Sequence, residues 1–92
     1  MPILNANPDF LRRAVRSILD QTLRELELVI VEDPSPRMCS ELLAEFRDAR
    51  IRYFASPTRT SFADQLNRGL AFSRARLVAR MDADDIAEIN RL

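Results

Sequence analysis

The feature that most constrains this chain is a change of hydrophobic period that recurs along its length. Leu11, Ala14, Val15, Ile18 and Leu19 place apolar residues at the spacing of one helical face. Leu28-Val29-Ile30-Val31 is then continuous, too short for a helix and rich in β-branched residues, as in a strand buried on both faces. Helical spacing returns at Cys39, Leu42, Leu43 and Phe46, and gives way to a short strand at Ile51, Tyr53 and Phe54. It returns again at Phe62, Leu66 and Leu70, with Gly69 allowing close approach, and Leu77 to Met81 reads as another strand. Ile3 and Leu4 look like the end of a first strand whose beginning is missing. The order is β-α-β-α-β-α-β, which predicts an α/β fold: a Rossmann-like parallel sheet, order 3-2-1-4, with right-handed crossovers and helices on both faces.

Local signals set the predicted boundaries. Asn7 caps the first helix, with Pro8 at its first position and Asp9 in its first turn. Glu32 and Asp33 end the second strand, and Ser35-Pro36 restarts a helix. Ser56 to Thr60 is a loop, and Ser61-Phe62-Ala63-Asp64 approximates a capping box for the third helix, whose inner face is Phe62, Leu66 and Leu70. A further helix is expected to begin near Ile86.

Composition narrows the chemistry. At 92 residues the chain is one small domain or a piece of a larger one, and 47% hydrophobic with 30% charged residues is enough to bury a core. Fourteen basic residues balance fourteen acidic ones, so no net field favours nucleic acid or an anionic surface. The absence of histidine removes Ser-His-Asp and Cys-His catalysis and every histidine metal site. All the basic residues are arginine, which excludes lysine Schiff bases and a lysine phosphate grip. A single glycine cannot write a G-x-G-x-x-G dinucleotide loop, and the missing lysine argues against a receiver-like phosphoacceptor domain. The lone Cys39 forms neither an intrachain disulfide nor a cysteine cluster, in keeping with a reducing, cytoplasmic setting. It reads as core. No apolar run reaches the ~20 residues of a membrane span, and no signal peptide is visible.

Carboxylates therefore carry what chemistry there is. Asp82, Asp84 and Asp85 directly follow an apolar strand, and like charges so close repel unless a cation joins them. Carboxylate oxygens suit Mg2+ or Mn2+, and Mg2+ commonly takes one or two of them and completes its shell with water and phosphate. Asp82 and Asp84 thus suggest a metal-diphosphate site. The alternative is that Asp84 or Asp85 caps the next helix while Asp82 is solvated, with Arg80 in a salt bridge to the cluster. Asn5 and Asp33 end neighbouring strands at the carboxyl edge, where such sheets bind ligands, or serve as turn residues.

Five ordered segments resemble family 2 glycosyltransferases of the GT-A fold. Pro2-Ile3-Leu4-Asn5 resembles that family's P-x-Y-N segment, and Ser17-Ile18-Leu19-Asp20-Gln21-Thr22 its S-I-L-x-Q-T turn. Glu27-Leu28-Val29-Ile30-Val31-Glu32-Asp33 is similar to E-L-I-I-V-D-D, and Leu66-Asn67-Arg68-Gly69-Leu70 to L-N-R-G-L. Ala79-Arg80-Met81-Asp82-Ala83-Asp84-Asp85-Ile86 matches A-R-M-D-A-D-D-I. The resemblance implies sugar transfer, with inversion, from a nucleotide diphosphate-sugar, a UDP-sugar first among them, to a saccharide or lipid-linked acceptor. It also implies a cell-surface polysaccharide setting. By the same resemblance Asp33 holds the base with Leu4 and Asn5 beside it, Asp82 faces the ribose, and Asn67 shapes the loop. Asp84, with Asp82, binds the Mn2+ or Mg2+.

The chain departs from the family at Leu4, where an aromatic is usual, and at Pro34, Ser61 and Ala75, where glycines are usual. The resemblance covers residues 1–92 as a donor-binding half, so the acceptor-binding half and its catalytic base are expected to be absent and the isolated chain inactive. The competing expectation is a non-catalytic nucleotide-binding or interaction fragment. An uncovered sheet edge around Leu77, Val78 and Met81 predicts a homodimer, unless the chain end after Ile86 folds back over it as a helix.

Overall fold

A computed structural model describes all 92 residues. Strand β1 (Pro2–Ile3) leads to helix α1 (Pro8–Leu19), strand β2 (Leu28–Glu32), helix α2 (Ser40–Ala44), strand β3 (Ile51–Ala55) and helix α3 (Phe62–Phe72). The strands form one parallel sheet in the order β1-β2-β3, with Pro2 opposite Val31 and Leu28 to Glu32 opposite Ile51 to Ala55.

Helix α1 forms as its sequence dictates. The Asn7 side chain accepts hydrogen bonds from the Asp9 and Phe10 amides at 3.0 and 3.2 Å, satisfying donors that the first turn leaves unpaired. Its apolar stripe, Leu11, Ala14, Val15, Ile18 and Leu19, is buried. Removing one large member such as Leu11 would cost about 2–5 kcal/mol, because the interior cannot fully close over the gap.

Strand alternation divides the sheet between two layers. Leu28 and Ile30 join α1 and α2 in the main core, with Tyr53 packed against it. On the opposite face Val31 meets α3, which approaches so closely that a Cβ on Gly69 would lie 3.6 Å from Val31 Cγ2. Helices therefore cover both faces, as the alternation of strands and helices predicts.

The interior face of α3 differs from the sequence expectation. Phe62 and Leu70 are 51% and 58% exposed, whereas Gln65 is 5% exposed. The helix is turned so that Gln65 Nε2 donates to Ile3 O at 2.9 Å and Val31 O at 3.4 Å. A buried amide that satisfies strand-end carbonyls outweighs the apolar stripe, because carbonyls buried without partners are costly. At its far end Phe72 stacks on Phe54 with ring centroids 3.9 Å apart, and Arg52 Nη1 donates to Phe72 O at 2.6 Å. Glu27 receives Arg74 at 2.7 Å and Arg52 at 3.4 Å, fastening the end of α3 to the sheet.

Helix α2 also begins later than Ser35-Pro36 predicts, at Ser40. Ser35 lies between Pro34 and Pro36, and a residue before proline is biased away from helical geometry. The helix starts where the Cys39 amide donates to Glu32 Oε1 at 2.9 Å, so a strand carboxylate supplies the cap.

The expected fourth strand is not formed: Leu77 to Arg80 have neither helix nor strand structure, and the sheet order is 1-2-3 without a fourth member. Its neighbour would be β1, which has two residues, one of them Pro2 without an N–H. Such an edge offers almost no ladder. Met81 instead enters the main core. The tail beyond it is stitched to the end of α1: Ala87 N donates to Ser17 Oγ at 3.0 Å and Thr22 N to Ile89 O at 2.8 Å. The fully buried Gln21 donates to Glu88 O at 2.6 Å and accepts from Leu92 N at 3.0 Å. The chain end thus folds back, the alternative to a bare edge, but as turns and not as a helix after Ile86. No helix is long and apolar enough to cross a membrane.

Candidate functional site

The parallel pairing of Ile3 with Glu32 brings the ends of β1 and β2 side by side. Leu4 and Asn5 therefore leave the sheet next to Asp33. Leu4 is 40% exposed, and Asn5 is exposed with φ of 50°, in the left-handed region that asparagine tolerates better than most residues. Its backbone bends the chain from β1 toward α1.

Asp33 and Glu32 are consecutive, both fully buried, and engaged on different elements. Glu32 Oε1 accepts from the Cys39 amide and the Tyr53 hydroxyl, and its Oε2 has no partner. Burial, reinforced by Glu32, pushes the Cys39 thiol up to about 11 and raises the Tyr53 phenol as well. Cys39 is accordingly a protonated core thiol and not a nucleophile. Asp33 is held by one residue: Thr60 N donates to Oδ2 at 2.7 Å, and Thr60 Oγ1 lies 3.1 Å from Oδ1 and 3.0 Å from Oδ2. Thr60 and Glu32 were not singled out from sequence. Thr60 is 27 residues from Asp33, in a loop without periodicity.

The second group of acids lies on the turn closed by the Asp85 amide donating to Asp82 O at 3.2 Å. One carboxylate oxygen from each of Asp82, Asp84 and Asp85 lies within 4.8 Å of the others, with Asp82 half-buried and the other two exposed. Arg80 Nε sits 3.3 Å from Asp82 Oδ1, and its guanidinium lies over the Phe62 ring at 4.9 Å. That arginine joins the acidic turn to the first turn of α3. Burial lowers the Met1 amine to about 6, with the Asp82 charge opposing the shift. Three hard oxygen donors in this space fit a divalent cation, with Asp84 free of the Arg80 contact that Asp82 makes. Neither hydrogen bond nor ion pair joins Asp33 to this turn. Asn67 is exposed on α3 and lines the cavity beside β1 rather than either acidic group.

The decisive comparison is with a family model, Glycosyl transferase family 2, which matches residues 1–92. The chain belongs to glycosyl transferase family 2. A glycosyltransferase of Haemophilus influenzae whose own role is uncharacterised is 33% identical over 81 residues, covering 86% of this chain and 25% of the relative. UDP-Glc:alpha-D-GlcNAc-diphosphoundecaprenol beta-1,3-glucosyltransferase WfgD of Escherichia coli is 30% identical over 92 residues, covering 100% of this chain and 36% of WfgD. Succinoglycan biosynthesis protein ExoO of Rhizobium meliloti is 32% identical over 84 residues, 91% of this chain and 24% of that protein. The family 2 chain described here thus spans about a quarter to a third of the length of these relatives.

Proposed function

We propose that this family 2 chain is the donor-binding half of a glycosyltransferase that takes a nucleotide diphosphate-sugar, a UDP-sugar first among them, and delivers the sugar with inversion. The acceptor is a saccharide or a lipid-linked saccharide of a cell-surface polysaccharide pathway. WfgD, named for a UDP-glucose donor and a diphosphoundecaprenol-linked acceptor, supports that choice. The observation that carries the proposal is the cluster of Asp82, Asp84 and Asp85 oxygens within 4.8 Å of one another. Asp84, with Asp82, would hold the Mn2+ or Mg2+, whose chemistry is to offset charge on the departing nucleoside diphosphate. Leu4, Asn5 and Asp33 would receive the nucleoside and Asp82 would face its ribose, while Asn67, which lines the cavity beside β1, would shape the adjoining loop.

An inverting transfer requires a base at the acceptor hydroxyl. No residue of these 92 is assigned to it, and the proposal places it in the part of the relatives that this chain does not match. Calorimetric titration with UDP, with and without Mn2+, tests the core of the proposal. Metal-dependent binding is expected, and equal binding in chelator would overturn the metal assignment.

A further inference from the structure

The loop from Pro57 to Thr60 joins β3 to α3 between two fixed points. Ser56 N donates to Glu32 O at 2.8 Å, and Ser56 Oγ accepts from Arg68 Nη1 at 2.9 Å. At the other end Ser61 Oγ accepts from the Asp64 amide at 3.1 Å, and Ser61 O from the Gln65 amide at 3.0 Å. Between these anchors Pro57, Thr58 and Arg59 are exposed and make no hydrogen bonds. Thr60 bonds only to Asp33, through its amide at 2.7 Å and through its hydroxyl at 3.0 and 3.1 Å. Asp33 is in turn 0% exposed. Both carboxylate oxygens are occupied by this chain's own donors, so an outside ligand has no path to them while the loop is in place.

We infer that Thr60 is the residue that sets nucleoside affinity, by latching the loop over Asp33. This rests on the proposed role of Asp33 as the acceptor for the nucleoside. An N–H of a base or a hydroxyl of a ribose offers the carboxylate the same kind of donor that Thr60 offers. The nucleoside therefore displaces Thr60, and the four-residue loop swings away about Ser56 and Ser61. Apparent affinity is reduced by the fraction of chains in which the latch is open. Because the closed contact is a charge-assisted pair of donors on a buried carboxylate, that fraction is small. Thr60 touches no reacting atom; it acts through Asp33.

Three measurements on the 92-residue chain test this. Thr60→Val keeps the shape and the amide but removes the hydroxyl donor, and should tighten UDP binding five-fold or more in calorimetry. In the unaltered chain, hydrogen exchange at the Thr60 amide should accelerate when UDP is added, an effect that a merely structural contact would not give. Asp33→Asn serves as the control for the underlying role. If Asp33→Asn abolishes UDP binding but Thr60→Val leaves it unchanged or weaker, the latch is overturned while the role of Asp33 stands. If Asp33→Asn binds as the unaltered chain does, the role of Asp33 and the latch fall together, as they do if UDP binds neither the unaltered chain nor Thr60→Val at millimolar concentration. Slowed exchange at Thr60 on adding UDP also overturns the latch.

Discussion

Tyr53 donates its hydroxyl to the Glu32 carboxylate from the neighbouring strand, two positions from the residue directly opposite Glu32. With the Cys39 amide on the same oxygen, this contact lets an acid sit fully buried at the end of the central strand. Replacing Tyr53 by Phe removes the donor and leaves the acid in place. The expected loss is about 1–3 kcal/mol of folding free energy, the usual penalty for an abandoned buried acceptor, measured by urea unfolding near neutral pH. A change within error would show that water replaces the hydroxyl.

The same cluster makes the fold sensitive to alkali. The Cys39 thiol is raised from its ordinary value of 9.0 to about 11, and the Tyr53 phenol is raised from 10.0. The unfolded chain gives up these protons at lower pH than the folded one does. The stability they contribute is therefore whole below about pH 9 and is lost as pH climbs toward 11. Urea midpoints should fall over that window, and Cys39→Ala combined with Tyr53→Phe should flatten the decline.

Asp84→Ala should abolish Mn2+-dependent UDP binding while changing stability by less than about 0.5 kcal/mol, since an exposed turn aspartate supports no core. Calorimetry and a thermal melt on the same sample separate the two effects. Retained binding would move the metal to other ligands.

In the proposed site Leu4 takes the place of an aromatic that would stack on the base, and it is 40% exposed. Leu4→Tyr should strengthen UDP binding, by up to about 1–3 kcal/mol if stacking matches that in single-stranded nucleic-acid sites. No gain in an intact fold would place the base elsewhere.

Asn5 allows its backbone and side-chain roles to be told apart. With φ at 50°, Asn5→Gly should keep stability, while the β-branched Asn5→Val should lose about 1–2 kcal/mol. If Asn5→Gly also binds UDP as tightly as the unaltered chain, the side chain takes no part in the site.

Much of the fold was legible because its causes are local. The Asn7 cap, the Leu11-to-Leu19 stripe and the run at Leu28 each carry their own instruction within a few residues. What was not legible depends on partners distant in sequence. The strand expected at Leu77 failed because Pro2 gives it no edge, and α3 turned because Gln65 serves the carbonyls of Ile3 and Val31. The acidic turn was visible as spacing, but the contact between Asp33 and Thr60 exists only once β2 and the β3–α3 loop are brought together.

Self-association is the expected outcome of apolar surface that the folded-back chain end leaves bare. Leu70, Leu77 and Val78 are 58%, 91% and 54% exposed around a cavity of about 620 Å3 beside β1. Sedimentation equilibrium at micromolar concentration should find a dimer, which Leu77→Asp should dissociate. A monomer in the unaltered chain would overturn the expectation.

Glu32 and Asp33 hold the same functional group one residue apart, engaged with Cys39 and Tyr53 on one side and with Thr60 on the other. A strand reverses its facing direction at each step, so a shift of β2 by one residue would exchange the two acids. The longer side chain would then meet the loop, and the shorter one would fall short of the helix it caps. Insertions into β2 should for that reason be far less tolerated than insertions of the same size into the Pro57–Thr60 loop, and a library of single-residue insertions would reveal the site as a sharp boundary in tolerance.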